Sequence, residues 1–271
     1  SKICTEKGVL LIEDLAHSVG VDYPGPSEAG KLGDFVVLSF SQDKIIDAVS
    51  GGALVIRNTK YYIRAPYPIT PLSFGRQLIE RVYPSLTWKI RTTYPIWIGK
   101  VIHAISKKLR LLSEPMGKFE AGKYYGLPNW NSYLTRRSFE NLSTVIQHRH
   151  KIAHIYAGKI DPLFLSPRLT RQIDYAVNLR FPIFTDKREL LIAYLRDEGI
   201  FVSDIWYDAP ISPAKYLDST NYQKGQCPMA ERAASTIINL PTHINISEKK
   251  ANRIADLVNR WLQEQNLETS I

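Results

Sequence analysis

Cysteine is nearly absent from this chain: there are two in 271 residues, Cys4 and Cys227, and neither has a second Cys or a His at metal-ligand spacing. A disulfide-stapled scaffold and a structural zinc site are thereby excluded, and the thiols read as reduced, as in a cytoplasmic protein. Long apolar runs are lacking as well. None approaches the roughly 18 residues a spanning helix needs, so the chain is expected not to cross a membrane. The opening Ser1-Lys2-Ile3-Cys4-Thr5-Glu6-Lys7 has no signal-peptide pattern and no initiator Met, and it leads at once into Val9-Leu10-Leu11-Ile12, as if the sequence entered in mid-fold. Acid is scarce in one place. Over 60–110 the single acid Glu80 faces ten Lys or Arg, which accounts for the whole net charge of +9. The basicity belongs to one segment, so nucleic-acid binding is not expected of the fold.

What is present suits a soluble globular protein of one or two domains, with 44% hydrophobic and 23% charged residues. Val9 to Ile12 is a continuous apolar run closed by Glu13-Asp14, the pattern of a buried parallel strand whose carboxyl end delivers polar residues to a site. Phe35-Val36-Val37-Leu38-Ser39-Phe40 ends the same way, and Ala53-Leu54-Val55-Ile56 follows the turn-permitting pair Gly51-Gly52. These three runs predict one sheet. From 132 to 160 apolar residues recur at spacings of three and four, predicting one long amphipathic helix. Beyond it the pattern alternates: strand 179–184, helix 188–197 closed by Gly199, strand 200–205, helix 230–236, strand 237–241 and helix 247–265 with Ser247 as N-cap. Such alternation predicts a small C-terminal α/β domain.

Two strand ends carry the chemistry. Asp14 closes the first run, and Lys44 follows the second, five residues after Ser39. Pyridoxal phosphate (PLP) chemistry needs a lysine amine to hold the aldehyde as a Schiff base and a carboxylate to keep the pyridine nitrogen protonated. It also needs hydroxyls or amides for the phosphate and a small flat residue beneath the ring. Asp14, Lys44, Ser39 and Ala16 meet these needs in principle.

Taken with their order, these motifs resemble the DegT/DnrJ/EryC1/StrS family of PLP-dependent sugar aminotransferases, a branch of the fold-type I, aspartate aminotransferase-like enzymes. Ile12-Glu13-Asp14-Leu15-Ala16-His17 is similar to the family's I-E-D-A-A-[QH], and Leu38-Ser39-Phe40-Ser41-Gln42-Asp43-Lys44 with Gly51-Gly52 to its F-S-F-x-x-x-K and G-G. Cys227-Pro228-Met229-Ala230-Glu231-Arg232 and Asn239-Leu240-Pro241-Thr242-His243 are similar to C-P-x-A-E-R and L-P-x-H. The resemblance implies an α/β fold: part of a PLP-dependent transferase with a three-layer, mostly parallel sheet and a C-terminal α/β small domain. It implies that Lys44 holds PLP and moves the proton, that Asp14 pairs with the pyridinium, and that Ala16 and His17 lie at the ring. Ser39 would bind the phosphate. Lys44, where related dehydratases carry histidine, implies transamination: an amino group, with glutamate as donor, passes to a keto group of a nucleotide-linked sugar. Amino-sugar or cell-surface polysaccharide biosynthesis, a cytoplasmic location and a homodimer go with that reading. The rival expectation is a partner-dependent homologue that serves in binding or assembly without catalysis of its own.

The sequence departs from the family pattern at Gly126-Leu127-Pro128-Asn129-Trp130-Asn131-Ser132, where Pro128 and Trp130 replace the expected Asn and Arg; Asn129 or Asn131 is the expected substitute toward the partner subunit or substrate. Ile45 follows the lysine, and Ser50 stands where an acid precedes Gly-Gly. The resemblance covers the later part of the family's length. The N-terminal half of the cofactor domain is expected to come from outside 1–271, and this chain alone to bind PLP weakly. Trp206-Tyr207 aligns with a segment that approaches the sugar, with packing between domains as the alternative. His148, His150 and His154 read as surface histidines and not as metal ligands.

The expected organisation is 1–59, the later part of the PLP-binding domain; 60–125, a basic aromatic helical insert; 126–160, a linking helix; and 161–271, the small domain. Three readings of the insert stay open. The favoured one is a helical subdomain with a solvated basic side. The others are a surface for an anionic ligand or acidic partner, and a peripheral membrane contact through 76–112.

Overall fold

The computed structural model describes residues 1–23, 28–61, 69–112, 124–202 and 207–268. In chain order these form α1 (Lys2–Lys7), β1 (Ile12–Asp14), β2 (Phe35–Ser39), β3 (Gly52–Ile56), β4 (Ile69–Thr70), α2 (Phe74–Thr93), α3 (Ile98–Lys108), β5 (Tyr124–Tyr125), α4 (Asn129–Glu140) and α5 (Leu142–Lys159). They continue with α6 (Pro167–Thr170), β6 (Arg180–Phe184), α7 (Arg188–Asp197), α8 (Pro228–Thr236), β7 (Ile237–Pro241) and α9 (Glu248–Glu268). The chain divides into two compact units, Ser1–Thr144 and Val145–Ile271.

In the first unit the three expected strands make one sheet of order β1-β2-β3. β1 runs parallel to β2, with Asp14 opposite Val37. β3 returns antiparallel, with Ser39 opposite Gly52. That return has a local cause: loop 40–51 joins β2 to β3 without a crossover helix, so the chain must reverse. Within the loop Phe40 N donates to Gly51 O (2.9 Å) and Ala48 N to Phe40 O (2.8 Å), while Ile45, Ile46, Ala48 and Val49 are buried. The apolar residues anchor a loop that would otherwise be free to move. β1 begins at Ile12, three residues later than the apolar run suggested, because its register is set by pairing with Phe35 to Val37.

The helix expected over 132–160 is two helices. Asn141 ends α4 with φ −99° and ψ 5°, and its Nδ2 donates to Arg137 O at 2.8 Å. A short amide side chain that satisfies local carbonyls competes with helix continuation, and here it wins.

The second unit is built on apolar periodicity. Ile254, Leu257, Val258 and Trp261 line one face of α9, and Leu191, Ile192 and Leu195 one face of α7. β6 and β7 pair antiparallel and send Phe181, Ile183, Ile238 and Leu240 into the same core. Burying each such side chain stabilises by about 1.5–3 kcal/mol before entropy is counted. The expected bounds of α7 and β7 coincide with the observed ones, and Ser247 Oγ accepts from Lys250 N at 3.2 Å to start α9. Residues 200–202 are not strand, and 203–205 lie outside the described residues. The histidines of α5 are engaged and not merely surface-borne: His150 Nε2 is 2.7 Å from Ala176 O and His154 Nε2 2.6 Å from Asp174 Oδ1. The partner carboxylate comes from a distant loop, which helical spacing alone does not reveal. No group of three His, Cys, Asp or Glu that could hold a metal ion occurs among the described residues.

Gly51 has φ 106°, and a Cβ there would lie 2.5 Å from Leu127 Cδ1. Gly51→Ala is therefore expected to destabilise the chain by about 1–3 kcal/mol. The check is a lower urea midpoint with native far-UV circular dichroism; an unchanged midpoint would show that the loop absorbs the methyl group.

Candidate active site at the ends of two strands

Strand alternation separates the two acids that close β1. Side chains at successive strand positions point to opposite faces, so Glu13 is buried while Asp14 is exposed. Glu13 is a structural acceptor. Its carboxylate takes hydrogen bonds from Tyr23 OH (2.8 Å), Gly30 N (2.8 Å), Leu32 N (2.9 Å) and Gly33 N. Burial alone would raise its pKa, but the bonds from Gly30, Gly33, Tyr23 and Leu32 outweigh that effect and hold it below the ordinary carboxylate value. The motif as a sequence pattern did not assign this role.

Asp14 faces the other way, and its Oδ1 accepts from Ala16 N at 2.9 Å. The turn that this bond supports carries half-buried Ala16 and exposed His17. From loop 40–51, Lys44 extends its amine to within 2.5 Å of His17 Nε2. Ser39, at the end of β2, has its Oγ 3.1 Å from Ser41 Oγ. Asp14, Ala16, His17, Ser39 and Lys44 are thus carried by the carboxyl ends of two adjacent parallel strands and the segments that follow them, with His17 and Lys44 in direct contact. Two non-glycine residues flank the lysine in left-handed backbone, Asp43 at φ 62° and Val49 at φ 71°. A β-branched residue there is strained, and such strain persists only where the surroundings enforce it.

The remaining expected residues fall elsewhere. Asn131 is only 1% exposed, and its Nδ2 donates to Ala48 O (2.9 Å) and Glu80 Oε2 (2.9 Å). In this structure it is a buried bracing residue, turned inward by α4. Asn129, at the start of α4, is exposed. Tyr207 is half-buried in the second unit, and Trp206 lies outside the described residues.

Glu80 and Tyr83 were not foreseen at this place. Glu80 is 2% exposed, accepts from Ser50 Oγ at 2.8 Å and pairs with Arg76 Nε at 3.2 Å. Its isolation among ten cations was the available signal. Tyr83 donates to Gln42 Oε1, two residues before the lysine. Burial, opposed by Arg91 and assisted by Asp43 and Asp47, pushes its phenol up to about 12. Both residues lie on α2 and reach back to the loop that bears Lys44.

The family motifs of the second unit serve structure here. Pro228 opens α8, and Glu231 accepts from Tyr222 OH (2.7 Å) and Gly225 N (2.5 Å). Thr242, fully buried, accepts from Arg149 Nη1 at 2.9 Å and donates to Asn178 O at 2.6 Å.

Since the Glu13 carboxyl sits below its ordinary value of 4.5 when folded, its stabilising effect is complete above that pH and is lost as the pH falls through the folded value. Glu13→Gln is expected to lose about 1–3 kcal/mol near neutral pH, because amide donors are left without their acceptor. It should also lose less stability than the parent on acidification. Urea unfolding from about pH 7 down to about pH 3 measures both; parallel profiles would remove Glu13 from this role.

Comparison with known proteins gives the site its context. The model of the DegT/DnrJ/EryC1/StrS aminotransferase family matches residues 1–77 and 96–259 and leaves 78–95, most of α2, between the matched parts. A pleiotropic regulatory protein of Geobacillus stearothermophilus is 23% identical over 258 residues, covering 94% of this chain and 59% of its own. Helicobacter pylori PseC, an aminotransferase of pseudoaminic acid biosynthesis, superposes with TM-score 0.64 at 19% identity, covering 96% of this chain and 61% of that one. DesI, solved with its TDP-sugar product, gives TM-score 0.62 at 20% identity, covering 98% and 60%. The likeness to these structures shows the fold, and the chain spans about 60% of the length of the proteins it matches. With its family model matched over all but a short internal segment and the last twelve residues, the chain belongs to the DegT/DnrJ/EryC1/StrS aminotransferase family.

Proposed function

We propose that this chain carries the lysine-bearing part of a PLP-dependent sugar aminotransferase that moves an amino group from glutamate to a keto group of a nucleotide-linked sugar. Enzymes of the family are PLP-dependent, and the observation that carries the reading here is the placement of Lys44 against His17, 2.5 Å apart, on the turn that Asp14 supports through the Ala16 amide. The donor set fits the cofactor: an amine for its aldehyde, a carboxylate for its ring nitrogen, hydroxyls for its phosphate. When bound, PLP supplies an electron sink that makes the proton beside the substrate nitrogen acidic.

The protein's own contributions follow from chemistry and position. Asp14, anchored by the Ala16 amide, would hold a proton on the ring nitrogen by charge-assisted hydrogen bonding. Ala16 offers a surface without bulk for the ring. The Nζ of Lys44 would take and return the substrate proton. His17, in contact with that amine, would orient it. Ser39, with Ser41 beside it, would orient the phosphate. Asn129 and Trp206-Tyr207 are proposed for the substrate or partner side, together with a homodimer and a cytoplasmic site of action. The division into 1–59, 60–125, 126–160 and 161–271 belongs to the same reading.

Incubation of the chain with excess PLP, followed by borohydride reduction and peptide mapping, tests the reading. The expected result is a pyridoxyl group on Lys44, with labelling of Lys44→Ala lower by at least about tenfold, since other surface lysines react only non-selectively. Labelling spread evenly over surface lysines, or equal in the variant, would sink the assignment and favour a binding or assembly role for the chain.

A further inference from the structure

Helices α2 and α3 are packed together, joined by Tyr94-Pro95-Ile96-Trp97, and their buried positions are unusual. The buried residues of α2 are Glu80 and Ile90, and those of α3 are Gly99 and Ser106. A Cβ on Gly99 would fall 2.2 Å from Ile90 O and 2.5 Å from Tyr94 N, so the start of α3 sits directly on the end of α2. The large apolar residues point outward. On α2, Phe74, Leu78 and Val82 recur every fourth position and are exposed, Phe74 by 79%. On α3, Ile98, Val101 and Ile105, at spacings of three and four, are exposed as well. In water a helix pair normally buries its large apolar side chains and exposes small and polar ones. The reverse arrangement, with small residues at the seam and large apolar ones outside, is the pattern of helices that meet lipid. No helix of the described residues is long and apolar enough to cross a membrane, so contact would be with the surface layer.

The turn between the helices reinforces this. Trp97 is 70% exposed and holds φ 66°, a left-handed conformation costly for a bulky side chain, and it is flanked by exposed Ile96 and Ile98. Lys100 Nζ stands 4.0 Å from the centre of its ring. An amphipathic aromatic beside a cation suits the boundary between headgroups and acyl chains.

Charge decides among the partners that could cover such a face. Residues 74–110 hold eight Lys or Arg and one acid, Glu80, and that acid is buried. Two copies of this surface would bring cations against cations. A layer of anionic headgroups is complementary to it, and each basic residue near such a layer adds to binding. We propose that the α2–α3 pair docks this protein on the surface of an anionic lipid membrane, with the Trp97 turn entering the headgroup layer. Residues 78–95, with Leu78 and Val82, lie outside the parts matched to the family model, whereas Phe74, Trp97 and α3 lie within them.

Co-sedimentation of the whole chain with vesicles tests the proposal, the probes being phosphatidylcholine alone and phosphatidylcholine with about 30% phosphatidylglycerol. Binding to the anionic vesicles is expected, weakening as salt rises from about 0.05 to about 0.5 M, together with a blue shift of tryptophan emission that is smaller in Trp97→Phe. Lys107→Ala with Lys108→Ala should lower partitioning by about tenfold or more. Trp97→Ala with Val101→Ala should lower it at every salt concentration, and since all four positions are exposed, circular dichroism should stay native. Absence of binding to anionic vesicles, equal binding to neutral ones, or full binding by both double variants would overturn the proposal. So would the finding that Val101→Asp converts a dimer to a monomer while the parent ignores vesicles, which would assign the face to a second copy.

Discussion

Everything around the lysine in the first unit leans on one buried carboxylate. Glu80, almost without solvent, is met by the hydroxyl of Ser50, the amide of Asn131 and the guanidinium of Arg76. A carboxylate taken out of water costs several kcal/mol unless such partners replace the lost hydration. Each partner is therefore held as firmly as the acid is. Ser50 belongs to the loop after Lys44, Asn131 to α4 and Arg76 to the same helix as Glu80, so a single group joins three stretches distant in sequence. Asn131 extends the brace by donating also to Ala48 O, which fixes the loop at its buried end.

That brace explains how a short loop can hold Lys44 in place. Between β2 and β3 the chain turns through two strained residues, Asp43 and Val49, with Ile45 and Ile46 plugged into the interior between them. Backbone strain of this kind costs on the order of 1–3 kcal/mol per residue and would relax if the ends were loose. They are fixed at one side by the Phe40–Gly51 and Phe40–Ala48 backbone bonds, and at the other by Glu80 and Asn131. Across the site, Glu13 does comparable service for β1. By collecting four donors on the inner face, it fixes the strand whose next residue, Asp14, points to the opposite face. The chemical residues are half-buried or exposed, and the residues that hold them in place are buried.

How far this was legible in the sequence depends on the range of the interaction concerned. Periodicity located β6, α7 and β7 well, because each is fixed by apolar side chains that are themselves visible in sequence. The motif order located Asp14, His17 and Lys44 at the ends of neighbouring strands for the same reason: strand, turn and glycine signals are local. Asn141 carried a local signal for breaking the helix, but a long run of apolar spacing outweighed it in the reading. What escaped was long-range. Nothing near Asn131 announces that its amide meets Ala48 and Glu80, and nothing near His154 announces Asp174. The antiparallel return of β3 likewise follows from the absence of a crossover helix, a property of the connection and not of the strand's composition.

The departures from the family pattern can be read in the same physical terms. Where the pattern has an acid before Gly-Gly, this chain has Ser50, and the hydroxyl of Ser50 donates to a carboxylate that arrives from α2. The negative group is still at the loop, but it is supplied by the part of α2 that the family model does not match. Helix α2 is consequently not a free appendage: it is pinned by Glu80 to Ser50 and by Tyr83 to Gln42, both partners belonging to the loop that presents Lys44. The outer face of α2 and the geometry of the lysine loop are thus linked through contacts that include one carboxylate and one phenol. The constraint is mutual, since Glu80 of α2 helps to hold the loop at Ser50, and Ser50 is one of the donors that let α2 keep its single acid buried.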